Sequence, residues 1–276
     1  MIKSTKTISN KTHVYTDYVL LGHNLAGLWE GDGNINVKDK SYPKPTFHIT
    51  LHIQQVPCIQ KLMLILRRLC NNDPVGSISI RPDNNSCVLN VYTPAGLNCV
   101  FSLIHDKLKT PKAYQLNLIS SWLNQKHGTK LKAVSQDPIF TMNTPWFAGF
   151  TDADGCFSID LRYQTRKSVA CQFQINQRLK DPKSGLCYDE LFNSIAYALN
   201  VKLCTIMEKK SGRYYYVIKA SSLKSKDILR YYFDTYPLLT SKNLDYHDWC
   251  KVDDHMRNKN TEKVIKLDSI SEIKKV

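Results

Sequence analysis

Apolar residues recur with helical spacing over residues 14–32, and this spacing ends at Gly33, a residue type that commonly follows a helix. The pattern then changes to strict alternation, in which polar residues separate Ile35 from Val37. A period of two is typical of a strand that is buried on one face. The sequence therefore predicts a helix that leads directly into a half-buried strand.

The same succession occurs again from residue 146, where Phe157, Ile159 and Leu161 alternate with polar residues. In both places the pattern continues with the same kinds of element. These are an alternating strand (47–53; 172–176), a helix (57–70; 186–199), two shorter strands (76–81 and 87–92; 201–208 and 213–220) and a final helix near a Thr-x-Lys segment. We predict an α+β fold of two αββαββα halves.

The two halves also share sequence. NLAGLWEGDGNINV at 24–37 resembles WFAGFTDADGCFSI at 146–159, and this alignment places Asp32 opposite Asp154. Each segment reads apolar, Ala-Gly, apolar, two variable residues, a small residue and Asp-Gly before the alternating strand begins.

A second pair of similar segments lies further along each half. KLKTPKAYQLNLISSW at 107–122 resembles YPLLTSKNLDYHDW at 236–249, and Lys112 falls opposite Lys242. The Asp-to-Lys separations are 80 and 88 residues, so two landmarks keep their order and nearly their spacing. This regularity indicates a duplicated unit. The predicted boundaries are 1–128 for the first half, 129–143 for a polar linker and 144–276 for the second half.

The charge balance indicates the class of partner. The 276 residues carry a formal net charge of +14, and the pI is about 9.3. A surplus of this size favours an anionic partner, and nucleic acid is the commonest one. Charge alone leaves open a basic protein without such a partner. A hydrophobic content of 42% is sufficient for a core and excludes a chain that is disordered throughout.

The nine cysteines include no CxxC pair, which excludes a zinc ribbon or a thioredoxin-like site. They lie in apolar runs, so we expect small core residues in a reducing compartment. No apolar stretch approaches the roughly 20 residues that span a bilayer. The N-terminal residues lack the apolar segment of a secretory signal. We expect neither membrane insertion nor secretion.

The polar faces of the predicted strands are rich in Asn, Gln, His, Thr, Ser, Arg and Lys. Such side chains suit hydrogen bonding to base edges in the major groove of DNA. An ordinary solvated sheet face is the alternative. The candidate DNA-binding residues are Asn34, Asn36, Lys38, His48, Thr50, His52, Ser79, Arg81, Asn90, Tyr92, Ser158, Asp160, Arg162, Gln172, Gln174, Asn176, Arg213, Tyr215 and Lys219.

Small residues stand four apart in the first helix of each half, Gly27 with Gly31 and Gly149 with Ala153. On a helix such residues share a face, and they let two backbones approach closely. We therefore expect the two helices to pack against each other with their C-terminal ends side by side.

Asp32 and Asp154 occupy those ends. A helix C-terminus disfavours a carboxylate by about 0.3–1 kcal/mol, and two adjacent carboxylates also repel each other. A divalent cation would remove both penalties, and paired hard oxygen ligands suit Mg²⁺, which also accepts water and phosphate oxygens. An Asp-Gly turn that merely ends a helix is the alternative. The repetition of the pair favours the metal site.

Lys112 and Lys242 present the opposite case. Thr110 and Pro111 are typical of the N-cap and first position of a helix, so Lys112 is expected in a first turn, near the positive helix end. A nearby anion would offset this, and our hypothesis is a scissile phosphate. A solvated surface lysine is the alternative.

LAGLWEGDG at 25–33 and FAGFTDADG at 147–155 resemble the motif of the LAGLIDADG homing endonucleases, in the single-chain form with two motifs. SKNLDYHDWCKV at 241–252 is also similar to the closing helix of many members. The resemblance implies two antiparallel sheets that form a saddle over a long DNA site. It also implies packing through the two motif helices and cleavage of both strands.

The resemblance implies a divalent metal, with Mg²⁺ as the expected ion and Mn²⁺ or Ca²⁺ able to occupy the same place. The implied ligands are the carboxylates of Asp32 and Asp154 and the backbone carbonyls of Gly31 and Ala153. Glu30 and Asp152 fall at the earlier acidic position of the motif, which the family pattern does not make catalytic.

The resemblance implies that Lys112 and Lys242 stabilise the extra charge on phosphorus. A polar residue near the metal ends the second strand in the family, and Gln177 matches it in the second half. In the first half the matching residue is the apolar Leu51, with His52 beside it, so this half departs from the pattern.

The function implied is a site-specific double-strand DNA endonuclease. The resemblance also covers maturases that bind their own intron RNA, and non-cleaving DNA-binding regulators on the same scaffold. Both motif acids are present, which favours cleavage. The resemblance further implies a monomer encoded in an intron, commonly of a mitochondrion or chloroplast.

Overall fold

A computed structural model describes residues 17–37, 44–162 and 168–258. The first half contains α1 (Tyr18–Asp32), β1 (Gly33–Val37), β2 (Pro45–His52), α2 (Val56–Leu69), β3 (Gly76–Arg81), β4 (Ser86–Val91), α3 (Pro94–Ile104) and α4 (Asn117–His127). The second half contains α5 (Trp146–Asp154), β5 (Gly155–Arg162), β6 (Ser168–Arg178), α6 (Asp189–Ala198), β7 (Leu203–Met207), β8 (Tyr214–Ala220), α7 (Leu223–Thr235) and α8 (Lys242–Arg257). The order of helices and strands is the same in both halves.

Each half builds a four-stranded antiparallel sheet, with strand orders β1-β2-β4-β3 and β5-β6-β8-β7. The two sheets also share their register, since Gly33 pairs with Ile49 and Gly155 pairs with Ile175. This correspondence confirms the predicted α+β fold of two pseudo-symmetric halves.

Each half has one more helix than the αββαββα prediction. Thr93 caps the start of α3 by accepting a hydrogen bond from the Gly96 amide, and Ser222 caps α7 through the Ser225 amide. The Thr-x-Lys segments start the next elements, but the first one opens a 3₁₀ helix, Pro111–Leu116, ahead of α4.

The motif helices α1 and α5 pack closely enough to require glycine. A Cβ atom on Gly27 would overlap the backbone of Trp146, and one on Gly149 would overlap the backbone of Asn24. The predicted packing through small residues is therefore confirmed, and it brings the two helix ends together.

The inner face of each sheet is covered by helices and carries the core. Trp29 stacks on Phe47 with ring centroids 5.6 Å apart. In the second half, Phe157 contacts Tyr246 and Trp249. Burying one such side chain contributes about 1.5–3 kcal/mol. The core fixes the inner faces and leaves the opposite face of each sheet to solvent.

The predicted linker lies between the halves without regular structure, since residues 128–141 form neither helix nor strand. Phe140 is buried, and its amide donates to Ser194 Oγ. Lys109 Nζ donates to Asp137 and to the Ile139 carbonyl. The linker is thus attached to both halves, and the boundaries at 128 and 144 stay a prediction.

All nine cysteines are free thiols. The prediction that they are core residues is wrong for Cys156, Cys187 and Cys204, which are exposed. Cys156 pairs with Gln174 on the outer face of the second sheet, where alternation directs the side chain to solvent. Within the described segments, no helix combines the length and apolar character that crossing a bilayer requires.

Candidate active site at the abutting helix ends

Asp32 is the last residue of α1, and Asp154 is the last residue of α5. The helices meet at these ends, where a Cβ on Gly31 would overlap the Cβ of Ala153 and would stand 3.4 Å from Asp154 Oδ2. The two carboxylates therefore lie side by side between the sheets.

The carboxylates share a poorly solvated environment. Burial raises the pKa of Asp32, and burial together with the charge of Asp32 raises the pKa of Asp154 to about 6. Lys112 and Lys242 oppose both shifts without cancelling them. Further positive charge at this point would stabilise the ionised pair.

The two lysines face the C-terminal ends of the motif helices. Lys112 Nζ donates to the carbonyls of Gly31 (3.0 Å) and Gly33 (2.9 Å). Lys242 Nζ donates to Thr151 (3.1 Å) and Ala153 (2.7 Å). The carbonyls of Gly31, Thr151 and Ala153 belong to the negative ends of the two helices, so they offset the ammonium charge. Protein carbonyls already accept hydrogen bonds from both lysines, so their placement does not by itself call for an anion, and the scissile phosphate stays a prediction.

The charges pair across the two halves. Lys242 is the lysine that lowers the pKa of Asp32 most, although burial outweighs it. Burial lowers the pKa of Lys112, and Asp154 opposes this more strongly than Asp32 does. Among these two acids and two lysines, the order of the electrostatic effects favours pairing each acid with the lysine of the other half, although Asp152 of the same half acts most strongly on Lys242.

The polar residue beside the acid differs between the sites. Gln177 Nε2 lies 3.5 Å from Asp154 Oδ2, which is the place that the resemblance implies for it. The strand registers make Leu51 its counterpart beside Asp32, and Leu51 is buried. The cavity on this side is also lined by Gln54 and Asp245, which the sequence argument missed.

Two further acids lie directly behind the site. Glu30 accepts hydrogen bonds from the amides of Lys109 and Thr110 and from the Thr110 hydroxyl. Asp152 accepts the matching set from Leu239 and Thr240. A signal for these contacts exists in the sequence, since each acid and its threonine are separated by the same 80 or 88 residues as the Asp-Lys pairs.

The candidate DNA-binding residues of the first sheet share its outer face. Asn34, His48 and Asn90 stand in one row across the strands, which also contains Ser77, a residue that the prediction missed. Asn90 is buried, and its amide nitrogen donates to Ser79 Oγ. Exposed residues on this face are Asn36, Thr50, His52, Arg81 and Tyr92.

The second sheet presents a similar outer face. Ser158 pairs with Gln172, and Gln174 pairs with Lys219. Asp160, Asn176 and Arg213 are exposed, whereas Tyr215 is half-buried. Lys38 and the side chain of Arg162 lie outside the described residues.

The sequence profile of the LAGLIDADG endonuclease family matches residues 25–123 and 147–252, which together make up most of the chain. The chain belongs to the LAGLIDADG endonuclease family. Each matched region starts in a motif helix and ends beyond the lysine of the same half, so one family unit accounts for each half.

Two fungal relatives of this LAGLIDADG protein span more residues than it does. The uncharacterized cox1 intron-2 37.2 kDa protein of Schizosaccharomyces pombe is 30% identical over 234 residues, which are 84% of this chain and 64% of the relative. The intron-encoded DNA endonuclease aI3 of Saccharomyces cerevisiae is 28% identical over 281 residues, which cover 90% of this chain and 67% of the relative. The chain thus spans about two thirds of the length of either relative.

Solved structures share the fold of this LAGLIDADG protein. The I-SmaMI LAGLIDADG homing endonuclease bound to cleaved DNA has a TM-score of 0.69 at 18% identity, over 92% of this chain and 95% of that chain. I-GzeII in complex with its DNA target has a TM-score of 0.67 at 20% identity, over 92% and 97% of the two chains. At this identity the likeness shows the fold.

The donor set at the helix ends fits a hard divalent cation. It consists of two carboxylates and the carbonyls of Gly31 and Ala153, each of which keeps one lone pair beside its lysine hydrogen bond. Across the described segments, no cluster of three or more His, Cys, Asp and Glu side chains could hold a metal. Oxygen ligands with places left for water and phosphate are what Mg²⁺ prefers.

Proposed function

We propose that this LAGLIDADG protein is a site-specific endonuclease that hydrolyses one phosphodiester on each strand of a long, asymmetric DNA duplex with the help of Mg²⁺. The observation that carries the proposal is the pair Asp32 and Asp154, held side by side between two sheets with polar outer faces. The net charge of +14 supports an anionic partner of this kind.

The residues divide the work by position. Asp32 and Asp154 hold the metal, which when bound activates water and stabilises charge on the leaving oxygen. Lys112 and Lys242 stabilise the charge that develops on each scissile phosphate, because they are fixed in a poorly solvated site. Gln177 orients water beside Asp154. The outer faces of the two sheets read base edges in the major groove.

The test begins with a duplex recovered from a randomised library by selection for Mg²⁺-dependent cleavage. On that duplex, D32N and D154N should each abolish double-strand cutting while binding, measured by fluorescence anisotropy in Ca²⁺, is retained. D73N is the matched control, because Asp73 is an exposed acid in the turn after α2. Cutting by either motif variant at the rate of the unmodified protein would refute the metal assignment.

The gene context and the assembly state belong to the same proposal. The names of both fungal relatives refer to introns, so we propose that this protein is encoded in an intron of an organelle gene. The sequence surrounding the gene tests this. Because both composite sites are complete within one chain, we propose a monomer. Sedimentation of the protein with its duplex should give one chain per duplex, and two chains would contradict this.

A further inference from the structure

Glu30 and Asp152 are buried acids that point away from the outer sheet faces. Their exposed fractions are 1% and 4%. Each lies two residues before a metal-site aspartate, yet its hydrogen bonds go to a segment that is 80 or 88 residues away. A carboxylate buried at this depth is retained in a fold only where several donors compensate for its desolvation.

Apart from Trp146 Nε1, which donates to Glu30, those donors belong to the segments that precede the lysines. Glu30 Oε1 accepts from the Thr110 amide and hydroxyl at 2.5 and 2.6 Å, and both carboxylate oxygens lie 3.0 Å from the Lys109 amide. Asp152 accepts from the Thr240 hydroxyl at 2.5 Å and from the amides of Leu239 and Thr240 at 2.8 and 3.1 Å. The same arrangement therefore occurs in both halves.

The threonine passes this constraint to the lysine. Thr110 Oγ1 also accepts a hydrogen bond from the Lys112 amide, and Thr240 Oγ1 accepts one from the Lys242 amide, both at 3.3 Å. Acid, threonine and lysine backbone are thus linked by consecutive hydrogen bonds in each half. At the end of this series, the lysine ammonium group donates to carbonyls at the end of the motif helix.

A side chain of the other half adds a hydrogen bond to each arrangement. In the first half this bond goes to the acid itself, since Trp146 Nε1 of the second half donates to Glu30 Oε2 at 2.6 Å. In the second segment, Gln55 of the first half accepts from the Ser241 amide at 3.0 Å and donates to the Ser241 hydroxyl. The segment before Lys242 is thus held by Asp152 of its own half and by Gln55 of the other half. The segment before Lys112 is held by Glu30, which in turn is bonded to Trp146 of the other half.

We propose that Glu30 and Asp152 are positioning residues for the two lysines, so that Glu30 sets the rate of the strand cut with Lys112 and Asp152 sets the rate of the strand cut with Lys242. This proposal rests on the proposed endonuclease function. It assigns a role in cleavage to motif positions whose hydrogen bonds go mainly to the lysine segments.

E30Q and D152N are the informative variants because they keep the shape of the side chain. An ionised carboxylate only accepts hydrogen bonds, whereas a carboxamide places an NH₂ group opposite one set of donors. The lysine segment then loses part of its anchorage while the lysine itself remains. T110V and T240V are milder versions, since they remove a single hydroxyl from this series of hydrogen bonds.

The experiment uses the selected duplex with a different fluorophore on each strand. K112M and K242M first identify the strand that depends on each lysine. E30Q should slow cutting of the DNA strand that depends on Lys112 by about 10- to 100-fold. This is the range found when residues that orient catalytic ligands are changed. D152N should slow cutting of the strand that depends on Lys242 by a similar factor. T110V should slow the same strand as E30Q, and T240V the same strand as D152N, each by a smaller factor. On a supercoiled plasmid carrying the duplex, E30Q and D152N should both accumulate the nicked form.

D253N is the matched control for a purely structural effect. Asp253 is also a fully buried acid with several donors, Lys226 and Arg257 among them, but its hydrogen bonds stay within α7 and α8. We expect D253N to slow both strands equally or not at all. Equal slowing of both strands by E30Q and D152N, or slowing of the opposite strands, would overturn the positioning role.

Hydrogen exchange separates this proposal from the endonuclease function. In E30Q the amides of Lys109 and Thr110 should lose protection while those of Leu239 and Thr240 keep it, and D152N should give the reverse. Unchanged protection in both variants would overturn the proposal even if the protein cuts DNA. Failure of the unmodified protein to cut any duplex would refute the proposed function and with it the effect on strand cutting, and the exchange result would then decide only whether each acid anchors its lysine segment.

Discussion

Moving one methyl group across the helix interface tests how tightly the two aspartates are held. In G31A the new Cβ would overlap the Cβ of Ala153. In the swap G31A/A153G the same methyl group lies on the other helix. There it would contact the Cα of residue 153 at 3.6 Å and Asp154 Oδ2 at 3.4 Å, both ordinary van der Waals distances.

The magnitudes follow from the local geometry. Overpacking costs about 1–3 kcal/mol, which a gain of about 0.5–1 kcal/mol for Gly to Ala in a helix offsets in part. A153G alone costs about 1 kcal/mol in helix propensity. In the swap the two propensity effects cancel and the overlap disappears, so its stability should lie within about 1 kcal/mol of the unmodified protein.

Cleavage should respond more strongly than stability. The overlap in G31A pushes apart the helix ends that carry Asp32 and Asp154, and a displacement of about 1 Å costs roughly 100-fold in rate. Because the overlap displaces Asp32 and Asp154 together, both strands should slow together in G31A. The swap should recover most of the lost rate.

Urea unfolding and strand-resolved cleavage of the four proteins complete a double-mutant cycle. We expect a coupling free energy of about 1–3 kcal/mol in favour of the swap. Additive effects on stability, or a swap as slow as G31A, would refute the conclusion that the contact between residues 31 and 153 sets the spacing of the carboxylates.

Three other predictions address different parts of the molecule. Q177L, which copies Leu51 into the second half, should slow the Lys112-dependent strand by about 10- to 100-fold in the two-fluorophore assay, and equal slowing of both strands would contradict the site pairing. D253N should lower the free energy of unfolding at neutral pH by about 3–5 kcal/mol, because the charge of Lys226, which is 3% exposed, then loses its buried ion-pair partner. Burial opposes ionisation of Asp253, but hydrogen bonds and charge from Lys226 and Arg257 lower its pKa. The difference in free energy of unfolding between the unmodified protein and D253N should therefore be full above about pH 4 and shrink as the pH falls further. A difference that stays unchanged in acid would contradict this. Affinity for the duplex should fall by about 10³–10⁵ between 50 and 200 mM salt if 6–10 phosphates are contacted, and an anisotropy titration with a flat salt dependence would contradict the sheet faces as the binding surface.

The sequence predicts the features that follow from a regular spacing of residue types or from the similarity of the two halves. The alternation after each Asp-Gly fixes which strand faces are polar, and the duplication assigns strands of one half from the other. The four-residue spacing of Gly27 and Gly31 predicts the helix pair, because close packing at that spacing needs little besides the absence of side chains.

Other features depend on contacts that no local pattern encodes. The helix α3 follows a strand after only two residues, and its start depends on the Thr93 cap. The placement of Lys112 is understood only once the carbonyls of Gly31 and Gly33, at the end of α1 and the start of β1, are seen within 3.0 Å of its ammonium group. The effect of Lys242 on Asp32 crosses between the halves, and spacing along the chain does not predict it.

The cross-half composition of the sites also limits how such a protein can be recombined. A half transplanted onto a different partner would bring its own acid but would rely on a foreign lysine, together with a foreign tie such as Gln55 to Ser241. Under the proposed function, DNA preference would be exchanged by changing residues on the outer sheet faces. Cutting would be inherited only when the motif helices and both lysine segments are transferred together.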